Sequence, residues 1–252
     1  MKKLIIETCC GSADDCINSE LAGADRAELN SALFLGGLTP SLGELKTAIS
    51  NTKKIKIITM IRPRAGGFCY TEKEYLTMLS DAEIMIGNGS EGLVFGFLNS
   101  DGTVDIKRCK EMKKLAGEKE TVFHRAFDVV PDWKEAMDAL IDLGITRILT
   151  SGQRKSAYEG KETIAEMIKY ANGRIEILPG AGIREHNALE ILKVTGAKEL
   201  HMSKRKLVED TSVCANKEIC FGNPNAPEEI TFEMIDAEGF KKVIESLGET
   251  WL

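Results

Sequence analysis

The chain has 252 residues, of which 43% are hydrophobic and 29% are charged, and its formal net charge is −6. This composition is far from that of a disordered chain, and the negative balance argues against a mainly electrostatic partnership with nucleic acid or an anionic membrane, since both need a concentrated positive face. The longest stretch without a charge, Leu29 to Gly43, is fifteen residues long. It is too short to cross about 30 Å of hydrocarbon, so we expect no membrane partner.

The N-terminus and the cysteines both predict a cytoplasmic protein. Met1 to Ile6 has the basic start of a signal peptide, but Glu7 interrupts the apolar run almost at once. The seven cysteines are odd in number and lack the repeated C-x-x-C spacing of a structural zinc site. We therefore expect reduced thiols. The basic run Lys204 to Lys206 is interpreted as solvated surface.

Eight short apolar runs recur along the chain, with helical patterns between them. Their mean spacing is about 28 residues, close to the roughly 30 residues of a βα unit. Helix starts are indicated by Ser12, by Thr71 with Glu74 three residues later, and by Pro131 as part of a first turn. The apolar runs begin near Lys3, Asp25, Ile55, Gly92, Glu120, Arg147, Arg174 and Lys198.

Eight βα units in one chain of this size favour a single α/β domain over 1–252, folded as a (β/α)8 TIM-type barrel. An open dinucleotide-binding sheet is disfavoured because Thr8 to Ser12 offers one glycine where G-x-G-x-x-G is needed. The barrel core is predicted to span about 3–203. Residues 204–252 are predicted to be an irregular extension with a last helix, and 204–230 could be a flap, an arm to a partner subunit or disordered.

Polar residues end most of the apolar runs, where barrels of this type gather their chemistry. Strand alternation places Glu7 and Cys9 on one face and Cys10 on the other. His124 is the strongest acid–base candidate, because an imidazole exchanges protons near neutral pH. A buried structural ion-pair network, with a structural histidine, is the alternative interpretation. The candidate catalytic residues are Glu7, Glu28, Arg62, His124 and His201.

A second set of residues indicates an anion site. Gly180 and Gly182 follow the seventh run and precede a helical pattern, so backbone N–H groups there could bind an anion at a helix N-terminus. Ser151 and Gly152 after the sixth run would add donors, and Arg64 would add positive charge. The alternative is that the glycines only form a tight turn.

Seven motifs stand in order within residues 4–203: Glu7–Cys10, Gly23–Leu29, Gly36–Ser41, Ile61–Tyr70, Phe123–Asp128, Leu149–Gly152 and Pro179–Gly182. Together they resemble the CutC family, which is named for copper homeostasis. The resemblance implies a cytoplasmic TIM barrel that forms homodimers or homotetramers and is linked to copper tolerance and Cu(I) binding.

The resemblance also implies Cu(I) ligands, namely cysteines at the ends of the first two strands. Cys9, with its neighbour Cys10, matches the first position, but the second position is Asn30. An amide is a poor ligand for soft Cu(I), and Cys69 would replace it only if its loop folds back. Residues 204–230 also depart from the usual tail of the family.

Two functions of different classes follow. The first is a copper-homeostasis protein that binds Cu(I). The alternative is a barrel enzyme acting on a small phosphorylated or carboxylated metabolite, in which the arginines neutralise the anion and His124 transfers a proton. In that enzyme Glu7 or Glu28 would be the general base or would help to hold a divalent metal. The expected partners are thus a copper ion, a small anionic metabolite, or both.

Overall fold

The computed structural model of the protein describes residues 4–216, 219 and 230–251. Eight parallel strands form its centre: β1 Ile5–Cys10, β2 Arg26–Leu29, β3 Lys56–Met60, β4 Gly92–Phe95, β5 Glu120–Phe123, β6 Arg147–Thr150, β7 Glu176–Pro179 and β8 Glu199–Met202. They are hydrogen-bonded in the order β7-β6-β5-β4-β3-β2-β1-β8, and β8 packs beside β7. The predicted (β/α)8 TIM-type barrel is therefore confirmed, in a nearly closed form.

Helices alternate with the strands and cover the outside of the barrel. They are α1 Ala13–Ala22, α2 Leu42–Asn51, α3 Glu72–Gly87, α4 Ile106–Ala116, α5 Trp133–Asp142, α6 Lys161–Ala171, α7 Glu185–Thr195 and α8 Ala237–Trp251. Within the described part of the chain, no helix combines the length and the apolar character needed to span a bilayer.

Helix starts follow the predicted capping residues with one correction. The side chain of Ser12 caps α1, and Thr71 with Glu74 forms a reciprocal capping box at the start of α3. Pro131 was expected inside the first turn of a helix, but α5 begins two residues later. The reason is Asp132, whose side chain accepts the first free backbone N–H groups of that helix and so becomes its N-cap.

Two apolar layers hold the barrel together. The larger one fills the space between the strands and the helices. The smaller one fills the lumen, because alternate residues of each strand point inward. Polar side chains that continue the same inward alternation therefore lie above or below this apolar layer. The lumen layer consists of Ile58, Met60, Val94, Val122, Leu149 and Leu178.

The chain after Ser203 is more regular than the sequence predicted. Strands β9 Arg205–Glu209 and β10 Thr231–Ile235 pair as an antiparallel hairpin, and α8 then packs against α1 and α7. The boundary near residue 203 was therefore too early, because α8 buries Phe240 and Leu247 in the core and supplies the eighth barrel helix. The hairpin is an insertion between β8 and α8. Much of the predicted irregular segment, residues 217, 218 and 220–229, lies outside the described residues.

Asp15 ties this hairpin to the end of β1. Its carboxylate is buried and accepts the backbone N–H of Gly11 at 2.8 Å and that of Ile235 at 2.7 Å. Arg205 donates to the same carboxylate at 3.0 Å. One acidic side chain of α1 therefore joins three segments that are far apart in the sequence.

We expect Asp15→Ala to lower the free energy of unfolding by about 2–3 kcal/mol, because two backbone N–H groups and a guanidinium lose their acceptor. Urea unfolding measures the loss. The matched control is Asp14→Ala in the same helical turn, whose exposed side chain makes the expected change smaller than about 0.5 kcal/mol. Equal losses in the two variants would contradict the role of Asp15.

Candidate metal centre

Three potential metal ligands meet inside the barrel near the carboxyl ends of neighbouring strands. They are Cys9 of β1, Glu28 of β2 and His201 of β8. The register places Cys9 beside Glu28, and the ligand atoms of all three side chains lie within 4.8 Å of one another. A thiolate, a carboxylate and an imidazole at this spacing can bind one metal ion. We call these three residues the mouth cluster.

Glu7 holds the ring of His201 in one orientation. Its Oε1 lies 2.7 Å from Nδ1 of His201, and Arg26 donates to its other oxygen. Although burial disfavours the charge, Arg26 and His201 lower the pKa of Glu7 to about 2, so this carboxylate is an acceptor and Nδ1 of His201 donates. The other ring nitrogen, Nε2, then faces Glu28 at 3.9 Å. A carboxylate that orients a histidine in this way is the usual support of a metal-binding imidazole.

The charges of the mouth cluster depend on one another. Burial raises the pKa of Glu28, although the neighbouring His201 opposes this. Burial also acts against a charged His201, yet Glu28, Cys9 and Glu7 together raise the pKa of His201 well above its ordinary value. Asn30 donates to Glu28 at 2.9 Å and orients this carboxylate. Asn30, which stands where the resemblance implied a second cysteine, thus supports the candidate ligand Glu28.

Below the mouth cluster, a buried ion-pair network closes the lumen. Arg26 pairs with Glu7 and, at 2.7 Å, with Glu199. Glu7 was predicted as a catalytic residue. In the structure it is fully buried, and its two carboxylate oxygens contact Arg26 and His201, so its role is to position His201. The alternative interpretation of the polar strand residues, a buried structural ion-pair network, therefore applies to the residues below the mouth cluster. Arg147 extends the network to three carboxylates, those of Glu120, Glu176 and Glu199.

The pairing of Cys9 with Cys10 as metal ligands is corrected by the structure. Cys10 points away from the lumen, is fully buried against α1, and lies 3.4 Å from the hydroxyl of Ser19. Burial raises the pKa of its thiol well above the ordinary value. The cause is strand alternation, which continues through Cys10. Cys69 is exposed and does not belong to the mouth cluster.

Arg62 and His124 lie at the ends of β3 and β5, apart from the mouth cluster. The Nη1 group of Arg62 donates to three carbonyls of the β2–α2 connection, those of Leu35, Gly36 and Gly37. The Nη2 group donates to the carbonyl of Gly66 at 2.9 Å. Arg62 therefore organises two loops at the barrel mouth.

His124 is buried and neutral. Burial, with a further contribution from the charge of Arg62, lowers the pKa of His124 to about 3. Its Nδ1 accepts the backbone N–H of Ala126 at 3.1 Å and caps a short 3-10 helix, Arg125–Val129. The ring lies against Gly96, where a Cβ would be 2.5 Å from Cε1 of the imidazole. Gly96 was not among the predicted site residues, and its only signal in the sequence is a glycine directly after the fourth apolar run.

The predicted anion-binding residues mostly use their donors within the protein. Arg64 pairs with Glu74 of α3 at 2.5 Å and donates to three nearby carbonyls. The N–H of Gly180 donates to the carbonyl of Thr150 at 2.9 Å. Gly182 has φ +70° in the turn before α7, a conformation that favours glycine. These positions fit the tight-turn alternative.

The connection after β6 is also held internally. Asp128 accepts the N–H of Ser151 at 2.9 Å and its hydroxyl at 2.9 Å, while Arg125 pairs with the same carboxylate at 2.7 Å. The N–H of Gly152 donates to the hydroxyl of Thr150 at 2.9 Å. The donors predicted for an anion on Ser151 and Gly152 are therefore engaged in fixing this loop.

Arg205 is a further residue near the mouth cluster that sequence reasoning missed. It lies in the basic run interpreted as solvated surface, yet its Nη2 donates to the carbonyl of Cys9 at 2.6 Å. Because it also pairs with Asp15, it fixes the backbone that carries the Cys9 thiol. A charge run gives no signal of such a contact, since the partner lies at the other end of the chain.

A (β/α)8 barrel with sulfur, nitrogen and oxygen ligands at the carboxyl ends of neighbouring strands defines the class: a TIM-barrel protein with a candidate metal centre. The comparisons identify the family within this class. The family model described as "CutC family" matches residues 4–206. The chain belongs to the CutC family.

Relatives and a solved structure agree with this assignment. A CutC family protein of Treponema denticola is 53% identical over 98% of this chain and 100% of that protein. The human protein named copper homeostasis protein cutC homolog is 38% identical, over 92% of this chain and 85% of its own length. A crystal structure of a CutC protein from Streptococcus agalactiae has a TM-score of 0.75 and 35% identity, and covers 79% of this chain and 97% of that chain.

Proposed function

We propose that this protein binds copper as Cu(I), at the mouth cluster, as part of copper homeostasis. The observation that carries the proposal is the convergence of a thiol, an imidazole and a carboxylate whose ligand atoms lie within 4.8 Å. Thiolate and imidazole are ligands that suit copper, and the names of the relatives refer to copper homeostasis. Copper is the cargo in this proposal, and the protein supplies its ligands.

The surroundings of the mouth cluster fit a bound cation. Oε1 of Glu28 is buried and has no hydrogen-bond partner among the described residues, although a buried carboxylate oxygen normally has one. Glu7 directs Nε2 of His201 toward the other two ligands, and Asn30 orients Glu28. Cys9, His201 and Glu28 would hold the ion, with the thiolate and the carboxylate offsetting its charge.

The proposal extends to where and in what form the protein acts. We infer a cytoplasmic protein, because Cu(I) and a free Cys9 thiol both need a reducing compartment. The six described cysteines form no disulfide, which supports this inference. We also infer a homodimer or a homotetramer, which light scattering of the purified full chain measures directly.

The test is a competition titration of the reduced full-length protein with a chromophoric Cu(I) chelator. We expect one Cu(I) per chain, and we expect Cys9→Ser to weaken its binding by at least tenfold because a hydroxyl is a poor ligand for soft Cu(I). The matched control is Cys10→Ala, which removes the adjacent thiol that faces α1. It should bind Cu(I) as the unmodified protein does.

Three results would overturn the proposal. They are the absence of tight Cu(I) binding, unchanged affinity in Cys9→Ser, and equal losses in Cys9→Ser and Cys10→Ala. A parallel titration with Zn(II) tests the choice of metal. If Zn(II) binds at the mouth cluster and Cu(I) does not, the site is a metal site but the copper assignment fails.

A further inference from the structure

We propose that the barrel mouth also holds a small carboxylate, bound by Arg62 and His124 on the wall formed by β3 to β5. This wall is separate from the mouth cluster, which lies on β8, β1 and β2. The inference goes beyond copper binding and does not depend on it, because the two sites use different side chains.

The first observation is the unbalanced charge of Arg62. Its guanidinium is buried, with 7% of the residue exposed, and its four hydrogen bonds all go to neutral backbone carbonyls. Within residues 4–216 and 230–251, no carboxylate forms an ion pair with it. A buried charge without a counter-ion is costly, so an anion that enters the lumen would be stabilised there.

The second observation is a pair of unused donors. Nε of Arg62 and Nε2 of His124 are both buried and have no hydrogen-bond partner among the described residues, although the guanidinium of Arg62 lies near the buried Tyr70 hydroxyl. Because Nδ1 of His124 accepts a backbone N–H, the hydrogen of the neutral ring sits on Nε2, which is therefore a donor. Two buried N–H groups without acceptors call for an oxygen ligand.

The ring of Phe68 packs against the side chains of both Arg62 and His124. Its ring centroid lies 4.9 Å from the ring centroid of His124 and 5.4 Å from Cζ of Arg62. The inward-facing residues beneath this wall, Met60, Val94 and Val122, are apolar. Gly96, directly after β4, leaves room for the imidazole of His124. These apolar surroundings give a low dielectric, in which a charged hydrogen bond is stronger than in water.

The donors select a carboxylate over a phosphate. Phosphate is usually bound by several backbone N–H groups or by the paired Nη groups of a guanidinium. Both Nη groups of Arg62 already donate to carbonyls, so the nitrogen atoms of these two residues that have no partner at all are Nε of Arg62 and Nε2 of His124. A carboxylate has two oxygens and can accept one hydrogen bond from each residue.

The experiment uses the metal-free full chain, labelled with 15N in histidine, and acetate as the probe. We expect acetate to shift the Nε2 resonance of His124 in a saturable way, with a Kd on the order of 10 mM for so small a ligand. Chloride at matched ionic strength should leave the resonance unchanged. Inorganic phosphate should bind at least tenfold more weakly than acetate.

The variant is His124→Asn. Asparagine keeps a side-chain acceptor that can cap the short helix, but its shorter side chain places no donor at the position of Nε2. We expect saturation-transfer NMR to show at least a tenfold loss of acetate binding. The matched control, His186→Asn, changes an exposed histidine at the start of α7 and should bind acetate normally.

The proposal fails if chloride shifts His124 as acetate does, if phosphate binds better than acetate, or if His124→Asn binds acetate unchanged. If circular dichroism shows that His124→Asn does not fold, the acetate, chloride and phosphate titrations of the unmodified protein still test the proposal. None of these readouts involves copper, so failure here is distinct from failure of Cu(I) binding.

Discussion

Replacing Arg26 by methionine is expected to lower the free energy of unfolding by about 3–5 kcal/mol, a loss typical of breaking a buried ion pair from one side. Arg26 is 5% exposed and is shared between Glu7 and Glu199. Methionine has a similar volume but leaves both buried carboxylates without this cation. Urea unfolding at pH 7 measures the difference.

The control for this prediction is Lys56→Met. Lys56 forms an ion pair with Glu120 at 2.8 Å at the edge of the same network, but its side chain is 53% exposed. We expect a change below about 1 kcal/mol, since water screens exposed pairs and their net contribution is small. If Arg26→Met were no more harmful than Lys56→Met, the lower network would not be a principal source of stability.

His124 is expected to make the protein less stable as the pH falls below about 6.5, the ordinary pKa of histidine. In the folded protein, burial and the charge of Arg62 lower the pKa of His124 to about 3. Between these two values the unfolded chain binds a proton that the folded chain does not. The free energy of unfolding therefore falls with decreasing pH, with a contribution from His124 of up to about 1.4 kcal/mol per pH unit.

The measurement compares urea unfolding of the protein and of His124→Asn between pH 4.5 and pH 7.5. Carboxylates also titrate in this range, so only the difference between the two curves is informative. We expect this difference to change by about 1.4 kcal/mol per pH unit below pH 6 and to be constant above pH 7. The exposed His186, replaced by asparagine, serves as the control and should leave the curve unaltered. Parallel curves for His124→Asn and the unmodified protein would contradict the prediction.

The two proposed sites would share one barrel mouth. The mouth cluster carries carboxylate and thiol groups on one side, and Arg62 with His124 carries unused N–H donors on another. A copper ion and a small carboxylate have opposite charges, so each would be stabilised on its own wall. The sequence left Cu(I) binding and the binding of a small anionic metabolite as alternatives, and the two proposed sites would place both in one barrel mouth.

Much of the site could be predicted because strand periodicity tells which face a residue occupies. The alternation that puts Glu7 and Cys9 on one face also put Cys10 on the other, and the structure confirms this. Periodicity does not tell which partner a residue meets. Glu7 was a candidate catalytic base, and only its contacts with Arg26 and His201 show that it is a buried support.

The sequence by itself determined the eightfold strand–helix alternation, the inward-facing polar residues and the family. The tertiary structure decided which of those residues form a metal cluster, which form the ion-pair network, and that α8 completes the barrel. The reason is the distance along the chain between partners. His201 and Glu7 are 194 residues apart, and Arg205 and the Cys9 carbonyl are 196 residues apart. Local patterns carry no record of such pairs, which form only when barrel closure brings β8 beside β1.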